Sequence, residues 1–200
     1  MKIYGDYRSG NCYKLKLVTS ILQIAHDWVS VDILAGEAAS AEFALLNTNR
    51  KIPLLQLADG RTLAESNAIL NFLARGSILE PEDDFGRAKV QQWQFFEQYS
   101  HEPYIAVARF IALYLGLPEN RRDEYESKQQ GGHKALAVMD QQLQQTPFLV
   151  GDELTTADIS LYAYTHVAHE GGFELTPYPA IQGWLSRVQA TPGYVAMETQ

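Results

Sequence analysis

The hydrophobic pattern of this 200-residue chain changes about a third of the way along. Up to Arg75, short runs with strand alternation and runs with helical spacing follow one another, whereas from about Pro81 onward only helical spacing occurs. Alternating strands and helices predict a sheet covered by helices, and a purely helical pattern predicts a bundle. The sequence therefore predicts an α+β protein with an N-terminal domain at 1–76, a linker at 77–85 and an all-helical domain at 86–200.

The N-terminal part has the order βαβαββα. Its strands are predicted in "KIYG", "WVSVDIL", "PLLQL" and "RTLA", and its helices in a run from about Asn11, in "SAEFALLN" and in "ESNAILNFLAR". Strands separated by a helix favour a parallel pair, and the Asp-Gly turn in "ADG" adds an antiparallel hairpin. In the second part, Pro103 must kink or interrupt a long helix predicted from about Gly86 to Leu117. Thr155 and Asp158 form a capping box, which we interpret as structural.

Composition excludes several classes of protein. Lys and Arg form no stripe and the net charge is −8, which argues against a nucleic-acid partner. No apolar run reaches the roughly 18–20 residues of a membrane span, and no secretory signal is expected. The single cysteine fits a cytoplasmic protein and excludes a dithiol oxidoreductase. With this net charge, local donors must hold any anionic ligand.

The stretch "SGNCYK" leads from the first strand into the first helix. Ser9, Asn11 and Cys12 therefore lie where helix amides and the helix dipole favour an anion or a thiolate. On these residues alone, a second interpretation stays open. In that interpretation Ser9 or Asn11 only caps the helix, and Cys12 packs as a small buried side chain.

Two further motifs suggest ligand binding. In "RKIPLL", a cis bond between Ile52 and Pro53 would leave the Ile52 backbone to pair with an extended peptide, whereas a trans proline would only begin a strand. In "LAESNAIL", Glu65 and Ser66 open the third helix and could hold the ammonium and carboxylate of an amino acid. Alternatively, Ser66 is a cap and Glu65 is an acid favoured by the helix dipole.

In this order and spacing, the motifs resemble the cytosolic glutathione transferase superfamily across nearly the whole chain. The resemblance implies a thioredoxin-like N-terminal domain that binds glutathione, an electrophile bound against the helical domain, and a homodimer. It implies that Ile52 pairs with the cysteinyl part of glutathione beside a cis Pro53. Glu65 and Ser66 match the γ-glutamyl site, and Lys51 matches a residue that reaches the glycyl carboxylate.

The opening stretch matches more than one type of the superfamily. Tyr4 is the candidate of the tyrosine type, Ser9 with Asn11 matches the serine type, and Cys12 approximates the cysteine type. Conjugation requires a donor to the glutathione thiolate, and a hydroxyl or an amide supplies one. A cysteine favours mixed disulfides instead. We therefore predict Ser9 as principal donor, Asn11 as support and Cys12 as the minor candidate.

The resemblance places the electrophile against the segment around Pro103. Tyr104, Arg109 and His101 are its candidate contacts, with core packing of Tyr104 and pairing of Arg109 with an acid as the alternative. His166, His169 and Glu170 have a spacing that suits a metal, but two histidines without a third clear ligand are typical of surface residues, so no metal is expected.

The predicted function is conjugation of glutathione to a small apolar electrophile. The alternatives are a glutathione-dependent thiol transferase or lyase that uses Cys12, and a non-catalytic binding protein of the same fold. The joint presence of Ser9, Lys51, Glu65 and Ser66 argues against the non-catalytic alternative, because a scaffold needs none of them.

Overall fold

The computed structural model describes residues 1–197. Contacts divide the chain into two compact units, Met1–Ser77 together with the C-terminal segment that begins at Pro192, and Ile78–Thr191. The segment joins the first unit partly through the Tyr13 hydroxyl, which donates a hydrogen bond to the Val195 carbonyl at 2.7 Å. The sequence did not predict this grouping.

The first unit is a four-stranded mixed sheet with helices. Its elements are β1 (Lys2–Gly5), α1 (Gly10–Ile21), β2 (Asp27–Ser30), α2 (Ala41–Leu46), β3 (Leu54–Gln56), β4 (Thr62–Ala64) and α3 (Ser66–Ala74). The strand order is β2-β1-β3-β4; β1 and β2 are parallel, and β3 runs antiparallel to β1 and β4. The predicted order and the mixed sheet are confirmed.

The second strand begins and ends earlier than its hydrophobic alternation indicates. Its pairing with β1 ends at Ser30, opposite Gly5. The chain then turns, because the Asp32 carboxylate accepts hydrogen bonds from the amides of Leu34 and Ala35. A local side-chain bond therefore replaces the last part of the predicted strand.

Strand β1 carries the first unit's core on one face. Ile3 and Gly5 are buried, and a Cβ atom at Gly5 would lie 2.9 Å from the Cys12 sulfur. The glycine thus lets α1 pack directly on β1. Because side chains alternate along a strand, Tyr4 points to the other face, where it packs with a cluster that contains Phe43.

The second unit is helical. Its main elements are α4 (Asp84–Phe96), a π-helical turn (Glu97–His101), α5 (Glu102–Arg109), a second π-helical turn (Phe110–Tyr114), α6 (Arg122–Leu143), α7 (Thr156–Thr165) and α8 (Pro179–Gln189). The first π-helical turn ends two residues before Pro103, which has no N–H and whose ring displaces the carbonyl four residues earlier, inside that turn. The predicted interruption is confirmed. No helix within residues 1–197 is long and apolar enough to span a membrane.

Helix α7 is buried throughout and is held by its first turn. Thr155 and Asp158 form the predicted capping box. The Asp158 carboxylate also accepts hydrogen bonds from the Leu149 amide and the Trp184 indole, at 2.8 and 3.0 Å. The structural interpretation of this motif is confirmed.

Candidate active site

The turn between β1 and α1 is shaped by Asp6. Its carboxylate accepts the Arg8 amide at 2.8 Å, and its carbonyl accepts the Ser9 amide at 3.1 Å. Ser9 is the N-cap of α1, and its hydroxyl oxygen accepts the Cys12 amide at 3.4 Å. A hydroxyl that accepts a hydrogen bond still carries a proton to donate. Capping and donation to a ligand are therefore compatible roles for Ser9.

Cys12 lies inside the first unit. Its side chain has no exposed surface and faces Gly5 of β1. Burial raises the pKa of the Cys12 thiol to about 12, although hydrogen bonds with Ser9 and the Asp6 backbone act in the opposite direction. A thiol with that pKa stays protonated at neutral pH, and a protonated thiol is a poor nucleophile.

Tyr4, the candidate of the tyrosine type, is engaged in packing. Its hydroxyl donates to the Gln56 side chain at 2.9 Å, and its ring meets Phe43 edge-on at 6.3 Å between centroids. The structure therefore gives Tyr4 partners on the face of the sheet opposite to α1.

The loop before β3 presents Lys51 and Ile52. The buried Asn47 side chain donates to the Lys51 carbonyl at 2.8 Å and so holds the loop in place. Lys51 is exposed, Ile52 is half-buried, and the Ile52–Pro53 peptide bond is cis. The strand ladder begins at Leu54, so the Ile52 backbone lies outside it.

Glu65 and Ser66 form the turn from β4 into α3. Glu65 is exposed and has a φ angle of +69°, in the left-handed region that a side chain of this kind rarely adopts. Such backbone strain concentrates at functional sites. Ser66, the first residue of α3, is 5% exposed.

A buried hydrogen-bonded group joins the beginnings of α1 and α3. The Ser66 hydroxyl donates to Asn11 Oδ1 at 3.0 Å and accepts from Lys14 Nζ at 3.1 Å. Lys14 Nζ also donates to Asn67 Oδ1 at 3.3 Å, and the Lys14 side chain is fully buried. The sequence analysis missed Lys14 and Asn67. The available signal was that Lys14 precedes Val18 by four residues, on the face of α1 predicted to be buried.

This arrangement suits an anion. The positive ends of α1 and α3 meet at the bond between Asn11 and Ser66, and the Lys14 ammonium lies 3.1 Å from the Ser66 oxygen. Helix amides and a buried cation stabilise a carboxylate or a thiolate without help from the global field. The acid Glu65 beside them supplies a partner for an ammonium group. Together these groups match the ends of a zwitterionic amino acid.

Two of the three predicted electrophile contacts have other partners. His101 is fully buried and shares a hydrogen bond of 2.9 Å with the Thr165 hydroxyl. Arg109 is 3% exposed and forms an ion pair with Glu170 at 2.5 Å. We correct both assignments, because His101 has no accessible surface and Arg109 has almost none with which to contact a substrate. For Arg109 the alternative, pairing with an acid, is the observed arrangement.

Tyr104 lies partly exposed beside a cavity of about 170 Å³ within the second unit. The ring packs on Gly131 of α6, where a Cβ atom would overlap it. Phe96 and Lys134 contribute to the same cavity. Tyr104 is thus the one predicted electrophile contact that keeps accessible surface.

The histidines of the second unit do not form a metal cluster. His166 stacks on Tyr162 with 4.7 Å between ring centroids, and burial lowers its pKa to about 4. Among residues 1–197, no group of three or more His, Cys, Asp or Glu side chains is placed to hold a metal ion.

Comparison with known proteins identifies the family. The model of the glutathione S-transferase N-terminal domain matches residues 8–75, and that of the C-terminal domain matches residues 93–192. The chain belongs to the glutathione S-transferase family. The predicted thioredoxin-like fold is thereby confirmed, and so is the prediction that the chain is a glutathione transferase.

Three relatives illustrate the range of this family. A crystal structure of glutathione S-transferase from Pseudomonas fluorescens is 59% identical, with 99% of this chain and 98% of that chain covered and a TM-score of 0.97. Glutathione S-transferase 2 of Anopheles gambiae is 30% identical over 92% of this chain and 88% of its own. The disulfide-bond oxidoreductase YfcG of Escherichia coli is 25% identical over 91% and 87%.

Proposed function

We propose that this glutathione transferase conjugates the glutathione thiolate to a small apolar electrophile. The observation that carries the proposal is the meeting of the α1 and α3 N-termini at Asn11 and Ser66, backed by the buried Lys14. That point offers donors for a carboxylate and for a thiolate within one unit. Conjugation requires both, since glutathione must be held and its sulfur must be ionised.

Each part of glutathione has a proposed partner. Glu65 binds the γ-glutamyl ammonium, and Ser66 binds the neighbouring carboxylate through its backbone amide together with the next amides of α3. The Ile52 backbone pairs with the cysteinyl part beside Pro53, and Lys51 reaches the glycyl carboxylate. In this arrangement, Ser9 donates to the thiolate from the start of α1.

Asn11 assists Ser9 in holding the thiolate. Its carbonyl oxygen is bound to Ser66 at 3.0 Å, so the amide nitrogen is the half that can donate. Tyr104 is the proposed contact for the electrophile, because it lines a cavity with apolar neighbours and keeps exposed surface.

A disulfide-exchange activity is the second candidate, because one relative is named a disulfide-bond oxidoreductase. Exchange through Cys12 requires its sulfur to reach a disulfide as a thiolate. The sulfur is buried against Gly5, and its pKa is raised to about 12 by that burial. These two facts favour conjugation, with Cys12 outside the chemistry.

We also propose that the protein is a homodimer. Phe95 on α4 and Tyr99 in the following π-helical turn are 69% and 87% exposed. Aromatic rings this exposed are typical of protein interfaces. A second copy of the chain is the proposed partner.

Sedimentation at micromolar concentration should give twice the 22.5 kDa monomer mass. Phe95→Lys should shift the mass towards the monomer, whereas Leu45→Lys, at an exposed site on α2, should not. A monomeric wild type would reject the proposal.

Isothermal titration with glutathione tests the binding site. Ser66→Ala removes the hydroxyl that joins α1 to α3 and that holds the amides of the proposed carboxylate site in place. Losing its bond with the charged Lys14 side chain costs about 1.5–3 kcal/mol, which would appear as a loss of affinity of roughly ten- to a hundredfold. Ser77→Ala, just past the other end of α3, is the matched control and should bind as the wild type does. Absence of glutathione binding by the wild type would refute the proposed function. Equal affinity of wild type and Ser66→Ala would remove Ser66 from the site.

The reaction is tested by two assays run in parallel. Turnover of a chlorinated nitroaromatic reports conjugation, and reduction of a mixed disulfide with glutathione reports exchange. We expect the first activity to survive Cys12→Ala. Loss of both activities in that variant would establish the cysteine-dependent alternative.

A further inference from the structure

We propose that Lys14 is a positioning residue that couples the γ-glutamyl binding turn to the thiolate donor Asn11 through the Ser66 hydroxyl. This inference rests on the proposed function and adds a residue to it. Lys14 does not contact glutathione in this scheme. It acts through Ser66, whose oxygen lies 3.1 Å from Lys14 Nζ.

The position of Lys14 is unusual for a lysine. It lies on the inner face of α1 and its side chain is fully buried, among the most enclosed in the protein. Burying an ammonium group costs free energy unless acceptors compensate for the lost water. Ser66 Oγ and Asn67 Oδ1, both at the start of α3, are such acceptors. A charge in this place acts on its neighbours with little damping by solvent.

The pattern of donors and acceptors gives the direction of the coupling. The Ser66 hydroxyl has one proton, and it donates that proton to Asn11 Oδ1 at 3.0 Å while its oxygen accepts from Lys14. Bonds in such a chain polarise one another, so the cation strengthens the bond from Ser66 to Asn11. The bond also fixes the Asn11 amide with its Nδ2 donors on the side away from Ser66. Lys14 thereby orients and strengthens the donor proposed for the glutathione sulfur.

The same pattern of donors and acceptors indicates which groups bind the carboxylate of the ligand. While the Ser66 proton is directed at Asn11, the backbone amides at the start of α3 receive the γ-glutamyl carboxylate. The turns that lead into these two helices carry the charged side chains of Asp6 with its partner Arg8, before α1, and of Glu65, before α3. Because these groups remain in every variant below, they do not account for differences between the variants.

The decisive measurement is the apparent pKa of the glutathione thiol in the binary complex. It is followed by ultraviolet absorbance of the thiolate from pH 5 to pH 9, in the wild type, Lys14→Met, Lys14→Gln and Ser66→Ala. We expect the thiol pKa to be higher by about one unit in all three variants, because both Lys14 variants remove the polarising charge and Ser66→Ala removes the hydroxyl that transmits its effect. Conjugation should then be about tenfold slower below both pKa values and should approach the wild-type rate above them.

Lys16→Met is the matched control. Lys16 is two residues along α1, is partly exposed and lies over the Tyr7 ring at 6.0 Å. The variant removes the same charge from the same helix without touching Ser66, so the thiol pKa should stay at the wild-type value. A rise as large as that in Lys14→Met would refute the coupling, because any nearby positive charge would then suffice.

The affinity for S-methylglutathione separates positioning from simple binding. This ligand has no ionisable sulfur. If Lys14→Gln loses affinity for it while the thiol pKa stays within about 0.2 units of the wild type, Lys14 serves binding alone and the proposal is wrong. If Lys14→Met fails to fold, Lys14→Gln takes its place, because its amide can still donate a hydrogen bond to Ser66. Ser66→Ala tests the coupling without any change at Lys14. An unchanged thiol pKa in Ser66→Ala would refute the proposed coupling through the Ser66 hydroxyl. A wild type that binds no glutathione would instead refute the proposed function.

Discussion

The two roles of the Ser9 hydroxyl can be separated by a short series of substitutions. As N-cap of α1, its oxygen accepts the Cys12 amide, and as proposed catalytic donor, its proton reaches the glutathione sulfur. Ser9→Ala removes both functions. Ser9→Gly removes the hydroxyl but keeps a residue that helix N-termini tolerate well. Ser9→Thr keeps both.

The expected magnitudes follow from the geometry. Replacing a capping serine by alanine costs about 0.5–2 kcal/mol, and replacing it by glycine costs only a few tenths. The bond between Cys12 N and Ser9 Oγ is 3.4 Å long, which places Ser9→Ala near the lower end, about 0.5 kcal/mol. For conjugation, loss of one donor to the sulfur should cost about 10²–10³ in kcat. Because Asn11 remains, we expect the lower figure.

The assay combines urea unfolding with turnover of a chlorinated nitroaromatic. Ser9→Ala and Ser9→Gly should lose similar activity, although Ser9→Ala should lose a few tenths of a kcal/mol more stability than Ser9→Gly. Ser9→Thr should stay within about tenfold of the wild-type rate. Cys12→Ala should retain the activity, although it leaves a small cavity in the core. Near wild-type turnover by Ser9→Gly would refute the donor role, and an inactive Cys12→Ala beside it would transfer that role to the cysteine.

Three other measurements test the description of the interior. Cys12 should resist a water-soluble disulfide reagent at pH 8 and react fully in denaturant; rapid reaction of the native protein would contradict the burial of its sulfur. Burial lowers the pKa of His166 to about 4. The free energy of unfolding should therefore fall by roughly 3 kcal/mol as the pH drops from 6.5 to 4, because the unfolded chain binds the proton first. Above pH 6.5 the imidazole is neutral in both states, and this group causes no pH dependence. His166→Phe should remove that pH dependence and His169→Gln should not; an unaltered slope in His166→Phe would assign the effect to other groups. Asp158→Ala leaves buried donors of Thr155 and Trp184 without their acceptor and should lower the unfolding free energy by about 3 kcal/mol or more, so a loss below about 1 kcal/mol would show that the capping box contributes little.

Much of the fold could be predicted because its signals are local. The change from alternating to helical periodicity, the Asp-Gly hairpin, the proline interruption and the Thr155–Asp158 capping box each depend on residues close together in the sequence. The limits of β2 could not be predicted so well. The alternation around Val31 indicates a strand, but pairing with β1 ends at Ser30, and Asp32 turns the chain there.

The candidate site was predictable only where a motif carries it. Ser9, Ile52 and Glu65 belong to short patterns, and the structure brings the turns that carry them into one unit. Lys14 has no such pattern, because its partner Ser66 is 52 residues away. The reverse error concerns His101 and Arg109. A break at Pro103 indicates that side chains change direction, but only the packing of α7 and Glu170 decides that these two point inward.

At Glu65 the left-handed backbone sets stability against activity, because the residue that suits this backbone best lacks the carboxylate that binding requires. Glycine tolerates a φ of +69°, so Glu65→Gly should relieve about 1–3 kcal/mol of backbone strain, which exceeds the roughly 0.5–1 kcal/mol that glycine costs through the freedom of the unfolded chain. The same change removes the carboxylate proposed for the glutathione ammonium. An engineer who selects variants of this protein for heat resistance alone should therefore recover glycine at position 65, in a more stable protein that binds glutathione poorly. Selection for turnover should restore the glutamate.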